Sequence, residues 1–225
     1  MDEGLTLHYE VSIETPAAIA HRLDCPNFLL LLRQFLYMQH HNPPSIGDIP
    51  PSELPYISPL ATKLSIHHSA VSVFFAPSDL SGTSGMRREQ IRAVPAWRRG
   101  PPRYDTVLIS TDREREGMLG LDVARVRLFF SFSFGDVKYP CTLIDWYDRV
   151  ADTPDEDTGM WVVKPTGNSV IVHIDSILRC AHLVPVFDRE KIDRRHKLTS
   201  DDSLDAFQTF YINKYADHHM HEVVF

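Results

Sequence analysis

The stretch DVARVRLFFSFSFGDVKYPCTLIDWY, residues 122–147, decides how this chain folds. From Ala124 the residues alternate. Ala124, Val126, Leu128, Phe130, Phe132 and Phe134 share one phase, and Arg125, Arg127, Ser131 and Ser133 fill the other. Period-two alternation over this length predicts a half-buried strand, because successive Cβ atoms point to opposite faces of a sheet. Gly135-Asp136 supplies the positive-φ residue of a tight hairpin, and Tyr139–Tyr147 returns as its partner. No nucleophile, paired base or metal cluster interrupts the run. Residues 122–187 therefore read as the wall of a small barrel rather than as a catalytic centre.

Working outward, Val107–Ser110 is expected to open the barrel. Met160–Lys164 and Ser169–Asp175 are expected to add two strands, and 176–187 (SILRCAHLVPVF) a tight turn and a closing strand. Upstream, 5–13 alternates weakly and reads as one strand. Pro26 to Met38 reads as a helix, with Phe28, Leu31, Leu32, Phe35 and Leu36 at helical spacing. Ile66–Phe75 reads as a strand and MRREQIRA (86–93) as a short helix after a Ser/Gly loop. Downstream, Ser203 is expected to cap a helix running through Phe207, Phe210 and Tyr211.

Five or six short strands around one long hairpin predict an α+β, mainly β fold. The expectation is an SH3-like antiparallel barrel with N-terminal and C-terminal helical extensions. The division that follows is 1–103 as a helical or irregular extension, 104–188 as barrel, and 189–225 as a basic connector with a terminal helix.

Composition narrows the function. An apolar fraction of 43% supports a packed core, while nine of the 16 prolines crowd 43–59 and 95–102 into irregular connections. A net charge of −7 argues against nucleic acid binding over the whole surface but permits a local basic patch. Three widely spaced cysteines, Cys25, Cys141 and Cys180, favour a reducing intracellular compartment over a disulfide framework. The opening MDEGLTLHYE has no apolar core of signal-peptide type, and the longest apolar run, Phe28–Leu32, is too short for a bilayer. No membrane association and no cofactor are expected.

The strongest functional signal is basic. Arg87, Arg88, Arg92, Arg98, Arg99 and Arg103 lie within seventeen residues with only Glu89 among them, and Trp97 and Tyr104 are interleaved. Arginine's planar fork binds phosphate bidentately and stacks on rings, so the segment reads as a nucleic-acid footprint. The competing reading is intramolecular pairing with the excess carboxylates. Arg189, Lys191, Arg194, Arg195 and Lys197 form a second basic cluster of nuclear-import type. Phe129, Trp146 and Tyr147 are the one aromatic group that could form a partner surface, by cation–π attraction or stacking; the alternative is that they are core. His218, His221 and Glu222 share a helical face but lack further ligands, so no metal site is expected. Asp152, Asp155, Glu156 and Asp157 read as a solvated loop. Asp145 reads as the partner of Arg125 or Arg127, and Cys141 as a small core residue.

Several blocks in order resemble the C-terminal region of Plavaka-type transposon proteins of mushroom-forming fungi: HRLDCPNFLLLLRQFL, FFAPSDLSGTSGMRREQIRAVPAWRRGPPRYD, GLDVARVRLFFSF, PDEDTGMWVV, HIDSILRCAHLVPVF and SLDAFQTFYINKYADHH. Tyr104 to Phe187 also resembles a bromo-adjacent homology (BAH) domain, opening with TVLI, continuing through VARVRLFF and YPCTLIDWY, and closing on HIDSILRCAHLVPVF. The resemblance implies a non-catalytic, BAH-like accessory module acting in the nucleus on DNA, chromatin (histone or nucleosome) or a protein partner. The DNA-cleaving domain of such proteins is expected upstream and nothing here matches it. Two alternatives remain: a structural or protein-interaction module docking on that upstream domain, and a metal-dependent nuclease.

Overall fold

A computed structural model describes residues 4–41, 49–78, 84–187, 199 and 202–224. In chain order the elements are β1 (Gly4–Leu7), β2 (Glu10–Glu14), α1 (Pro16–Arg22), α2 (Phe28–His41), β3 (Leu64–His67), β4 (Ser69–Phe75), β5 (Met86–Val94) and β6 (Arg103–Tyr104). They continue as β7 (Thr106–Ser110), β8 (Leu121–Phe134), β9 (Val137–Arg149), β10 (Val162–His173), β11 (Ile177–Cys180), β12 (Leu183–Pro185), α3 (Ser203–Ala206), β13 (Phe210–Ile212) and α4 (His218–Val223). The fold is mainly β. A nine-stranded antiparallel sheet, β11-β7-β8-β9-β10-β13-β12 with β3 and then β2 attached to β8, curls into a half-barrel. A four-stranded sheet, β1-β4-β5-β6, stands against it.

The central hairpin forms as its alternation predicts, with Gly135 at φ 58° in the turn between β8 and β9. One detail changes the reading of its faces. The register shifts between Val126 and Leu128, so Arg127 is an extra residue on β8, a β-bulge. Beyond it the phase inverts. Ala124, Val126 and then Phe129 face the core between the two sheets, with Ala70, Ile91, Ala93, Val107 and Ile144. Leu128, Phe130 and Phe132 face the opposite core, against α1, α2, Tyr139 and Leu143. A third core gathers Leu121, Val123 and Tyr147 with Phe210, Ile212 and Met220. The single apolar phase seen in sequence is thus two faces of a strand covered on both sides.

That geometry corrects the aromatic partner surface. Phe129 is fully buried and Tyr147 is 4% exposed, the latter edge-on to Phe210 at 6.0 Å. Trp146, opposite Ala124, is half-buried at the margin of the inner core. Phe129 and Tyr147 present no ring outward, because the bulge and the C-terminal strand β13 enclose them.

Other corrections share one cause: long-range pairing overrides local preference. Residues 86–93 form strand β5, not a helix, although Met, Arg, Glu, Gln and Ala are good helix formers. They pair along their length with β4, Met86 against Phe75 through Arg92 against Ser69. Residues 5–13 and 66–75 each break into two strands, and 160–175 is one continuous strand, β10, irregular between Pro165 and Ser169. The helix expected after Ser203 stops at Ala206, and Phe210–Ile212 instead enters the sheet between β10 and β12. Strands from 1–103 and from 189–225 are therefore members of the barrel sheet rather than appendages to it.

Candidate nucleic-acid interface

The basic segment is a β-hairpin. β5 and β6 pair Ala93 with Tyr104 and Val94 with Arg103, and residues 95–102 form the tip. Pro95, Pro101 and Pro102 cannot extend the ladder, so pairing stops at the tip. At its apex Gly100 N–H donates to the Trp97 carbonyl at 2.8 Å, and both central residues are left-handed, Arg98 at φ 52° and Arg99 at φ 65°. This is the signature of a type I′ turn, which favours Asn and Gly. Each arginine there costs on the order of 1 kcal/mol relative to residues that tolerate the conformation.

Trp97 collects guanidinium groups. Arg92 lies 4.6 Å, Arg98 5.3 Å and Arg103 5.6 Å from its ring centroid. Each contact contributes about 0.5–1 kcal/mol at such an exposed position. Asp105 fixes the base of the group: its Oδ2 accepts from the Arg92 backbone N–H at 2.9 Å and its Oδ1 from Arg103 Nε at 2.7 Å. Arg92 also donates to Gln90 Oε1 at 2.9 Å. Arg98 and Arg99 are exposed and make no ion pair among the described residues. Three cations held around one ring, with one carboxylate among them, leave a net positive site with free donors.

The strand alternation divides the six arginines. Arg88, Gln90 and Arg92 point from the outer face of the four-stranded sheet, where Val71 and His8 are their neighbours. Arg88 and Arg92 are about 13 Å apart along β5. Arg87 and Glu89 point the other way, toward β11 and α4. The structure thus brings Arg92, Arg98 and Arg103 together around Trp97, with Arg99 beside them at the tip, extends the patch to Arg88, and separates Arg87 from it.

Beside the hairpin lies a cleft of about 630 Å³ lined by Trp97, Arg103, Tyr104, Arg125, His182 and Ser203 among others. Arg125 and Arg127 lie 5.8 and 6.0 Å from the Tyr104 ring. Arg125 is bound bidentately by Asp205, and Arg127 donates to Asp145 at 2.7 Å. Asp145 also accepts from Ser169 Oγ at 2.6 Å, so it is held as an ion-pair partner.

Beneath the patch is an ion cluster with no clear signal in the sequence. Arg179, on the inward phase of β11, is 0% exposed. Its Nη2 donates to Glu89 at 2.6 Å, both Nη atoms donate to Asp217, and Nη1 donates to His219 Nδ1 at 2.9 Å. Phe74 stacks on the guanidinium at 4.7 Å. Burial opposes the Asp217 charge, but the hydrogen bonds from Arg179 and from the Met220 N–H hold its carboxyl at about 2. Burial, then the Arg179 charge, pushes the His219 imidazole below its ordinary range. Asp217 also N-caps α4, so the cluster ties β5, β11 and the C-terminal helix together.

Among the described residues no three His, Cys, Asp or Glu side chains converge as metal ligands, and no helix is long and apolar enough to cross a membrane. His221 lies against Tyr215 at 6.0 Å. Asp155 accepts from Thr158 N and Oγ1 and closes its own turn, which lowers its carboxyl. Cys141 is buried, and burial raises its thiol well above the usual range. The second basic cluster, 189–197, lies outside the described residues. Sequence reasoning missed Asp105, Arg179 and Asp205; an arginine on the inward phase of ILRC was the one available hint. No protein family, no curated protein and no solved structure matches the chain.

Proposed function

We propose that this chain is a non-catalytic accessory module of transposon origin, built on a BAH-like barrel, that binds DNA or chromatin in the nucleus through the Trp97 hairpin. The observation that carries the reading is the pair Arg98-Arg99. Both occupy left-handed positions where Asn or Gly would cost less, and both extend guanidinium groups that make no ion pair among the described residues beside a tryptophan that also orients Arg92 and Arg103. Strain retained at an exposed tip fits a role outside folding. Arginines whose planes are held against a ring lose less freedom on meeting phosphate than mobile ones. The outer face of β5 adds Arg88, so the patch spans more than one phosphate. Contacts of this kind position a protein on a backbone without reading sequence.

The test is a low-salt anisotropy titration with a labelled duplex. The parent is expected to bind with little sequence preference. Arg98→Glu/Arg99→Glu should abolish most binding, and the charge-matched Arg194→Glu/Arg195→Glu should reduce it less. Absence of parental binding, or equal binding by the hairpin variant, would leave protein interaction as the better account.

A further inference from the structure

The charged residues that line the cleft beside the Trp97 hairpin balance one another. Arg103 and Arg125 stand there with Glu89 and Asp105, and all four are already paired: Arg103 with Asp105, Arg125 with Asp205, and Glu89 with Arg179. Such a cleft suits a neutral occupant, because a charge taken from water without a partner is costly. Its surfaces are flat or apolar. Trp97 and Tyr104 are half-buried, with Arg103 and Arg125 5.6 and 5.8 Å from their respective ring centroids, and the half-buried Leu183 and Leu204 add apolar surface. Three polar functions of the lining residues, the Trp97 indole N–H, the Tyr104 hydroxyl and the His182 imidazole, make no hydrogen bond among the described residues. The cations without an ion pair, Arg98 and Arg99, lie outside the cleft at the hairpin tip.

We propose that this cleft receives one unpaired nucleobase of the strand whose phosphates meet Arg98 and Arg99, so that the protein prefers an unpaired nucleotide to a continuous duplex. The proposal rests on the phosphate-binding reading of the hairpin and adds a base site to it. A nucleotide joins a flat neutral group to an anion, matching a charge-balanced cleft beside a cationic tip. Bases stack on aromatic rings and on guanidinium planes, and their edges take the donors and acceptors that Trp97, Tyr104 and His182 leave open. In a paired duplex a base reaches such a cleft only by unpairing and unstacking, a cost that is least for a nucleotide already unpaired. Within this chain, the sequence joining β12 to α3, DREKIDRRHKL (188–198), is mostly charged and offers no Phe, Tyr or Trp to fill the cleft.

The probe is a labelled DNA duplex with one bulged thymidine, compared by low-salt anisotropy with the fully paired duplex and with a duplex bulged at an abasic site. The thymidine bulge should bind at least about fivefold more tightly than the paired duplex. The abasic bulge, which keeps the backbone distortion without the base, should lose that gain. Tyr104→Leu should bring the three duplexes to equal affinity, while Tyr104→Phe, which keeps the ring, should retain most of the preference. His182→Ala, at an exposed position, should reduce the preference without disturbing the fold. Equal binding of bulged and paired duplexes, a gain kept by the abasic bulge, or a preference unchanged in both Tyr104→Leu and His182→Ala would overturn the base site and leave the phosphate reading standing. Binding of no duplex would overturn both. Displacement of the bulged duplex by an equal concentration of thymidine monophosphate would overturn the proposal in favour of a free nucleotide.

Discussion

Replacing Arg98 by Asn and Arg99 by Gly should make the protein more stable and a poorer polyanion binder. The structure gives the magnitude. Relieving two left-handed arginines, φ 52° and 65°, returns about 1 kcal/mol per position. Losing the Arg98 contact with Trp97 at 5.3 Å removes about 0.5–1 kcal/mol, and the freedom glycine adds to the unfolded chain removes about 0.5 kcal/mol more. The net gain is about 0.5–1 kcal/mol, a rise in Tm of roughly 1–4 °C for a chain of this size. Urea unfolding by tryptophan fluorescence, beside a duplex titration of the same samples, reads both effects. A single substitution that raised stability and affinity together would contradict the idea that the strain serves a ligand. So would a loss of about 1 kcal/mol or more, which would mean the arginines hold the hairpin.

The Arg179 cluster should behave oppositely. Arg179→Met leaves Glu89 and Asp217 unpaired and should cost about 3–5 kcal/mol, whereas adding Glu89→Gln and Asp217→Asn to it should recover a large part; both are read by urea midpoints. Because the Asp217 carboxyl is depressed to about 2, its stabilisation is complete above its unfolded pKa and is lost as pH falls toward 2, a loss that Asp217→Asn should flatten. His219 is depressed in the same sense, so its contribution is present above the ordinary imidazole range and declines as pH falls below it; His219→Gln should remove that step. Phe130→Ala should cost about 3–5 kcal/mol, since Phe130 is fully buried against Phe28 at 5.7 Å, while Phe134→Ala, at the margin of the same core, should cost less.

The central hairpin was legible in the sequence because alternation and Gly135 report on local geometry. The bulge at Arg127 was not, since it is defined only by the partner strand: Val126 meets Ile144 and Leu128 meets Leu143. For the same reason Phe129 read as a surface candidate when it fills the core. The arginine segment was found by composition, but its division was hidden while 86–93 read as a helix. Only as a strand does it send Arg88 and Arg92 outward and Arg87 and Glu89 inward. Arg179 is ninety residues beyond its partner Glu89 in the same chain, and a pairing at that range leaves no periodic trace.

Phosphate contact at the Trp97 hairpin is tested most directly by the salt dependence of duplex binding. Arg88, Arg92, Arg98 and Arg99 can each neutralise one phosphate, Arg103 being held by Asp105. Between about 50 and 200 mM salt, log Kobs should therefore fall against log salt with a slope of about −3 to −4, and the Arg98→Asn/Arg99→Gly variant should show a slope shallower by about two. A slope near zero for the parent, or an unchanged slope in that variant, would contradict the assignment.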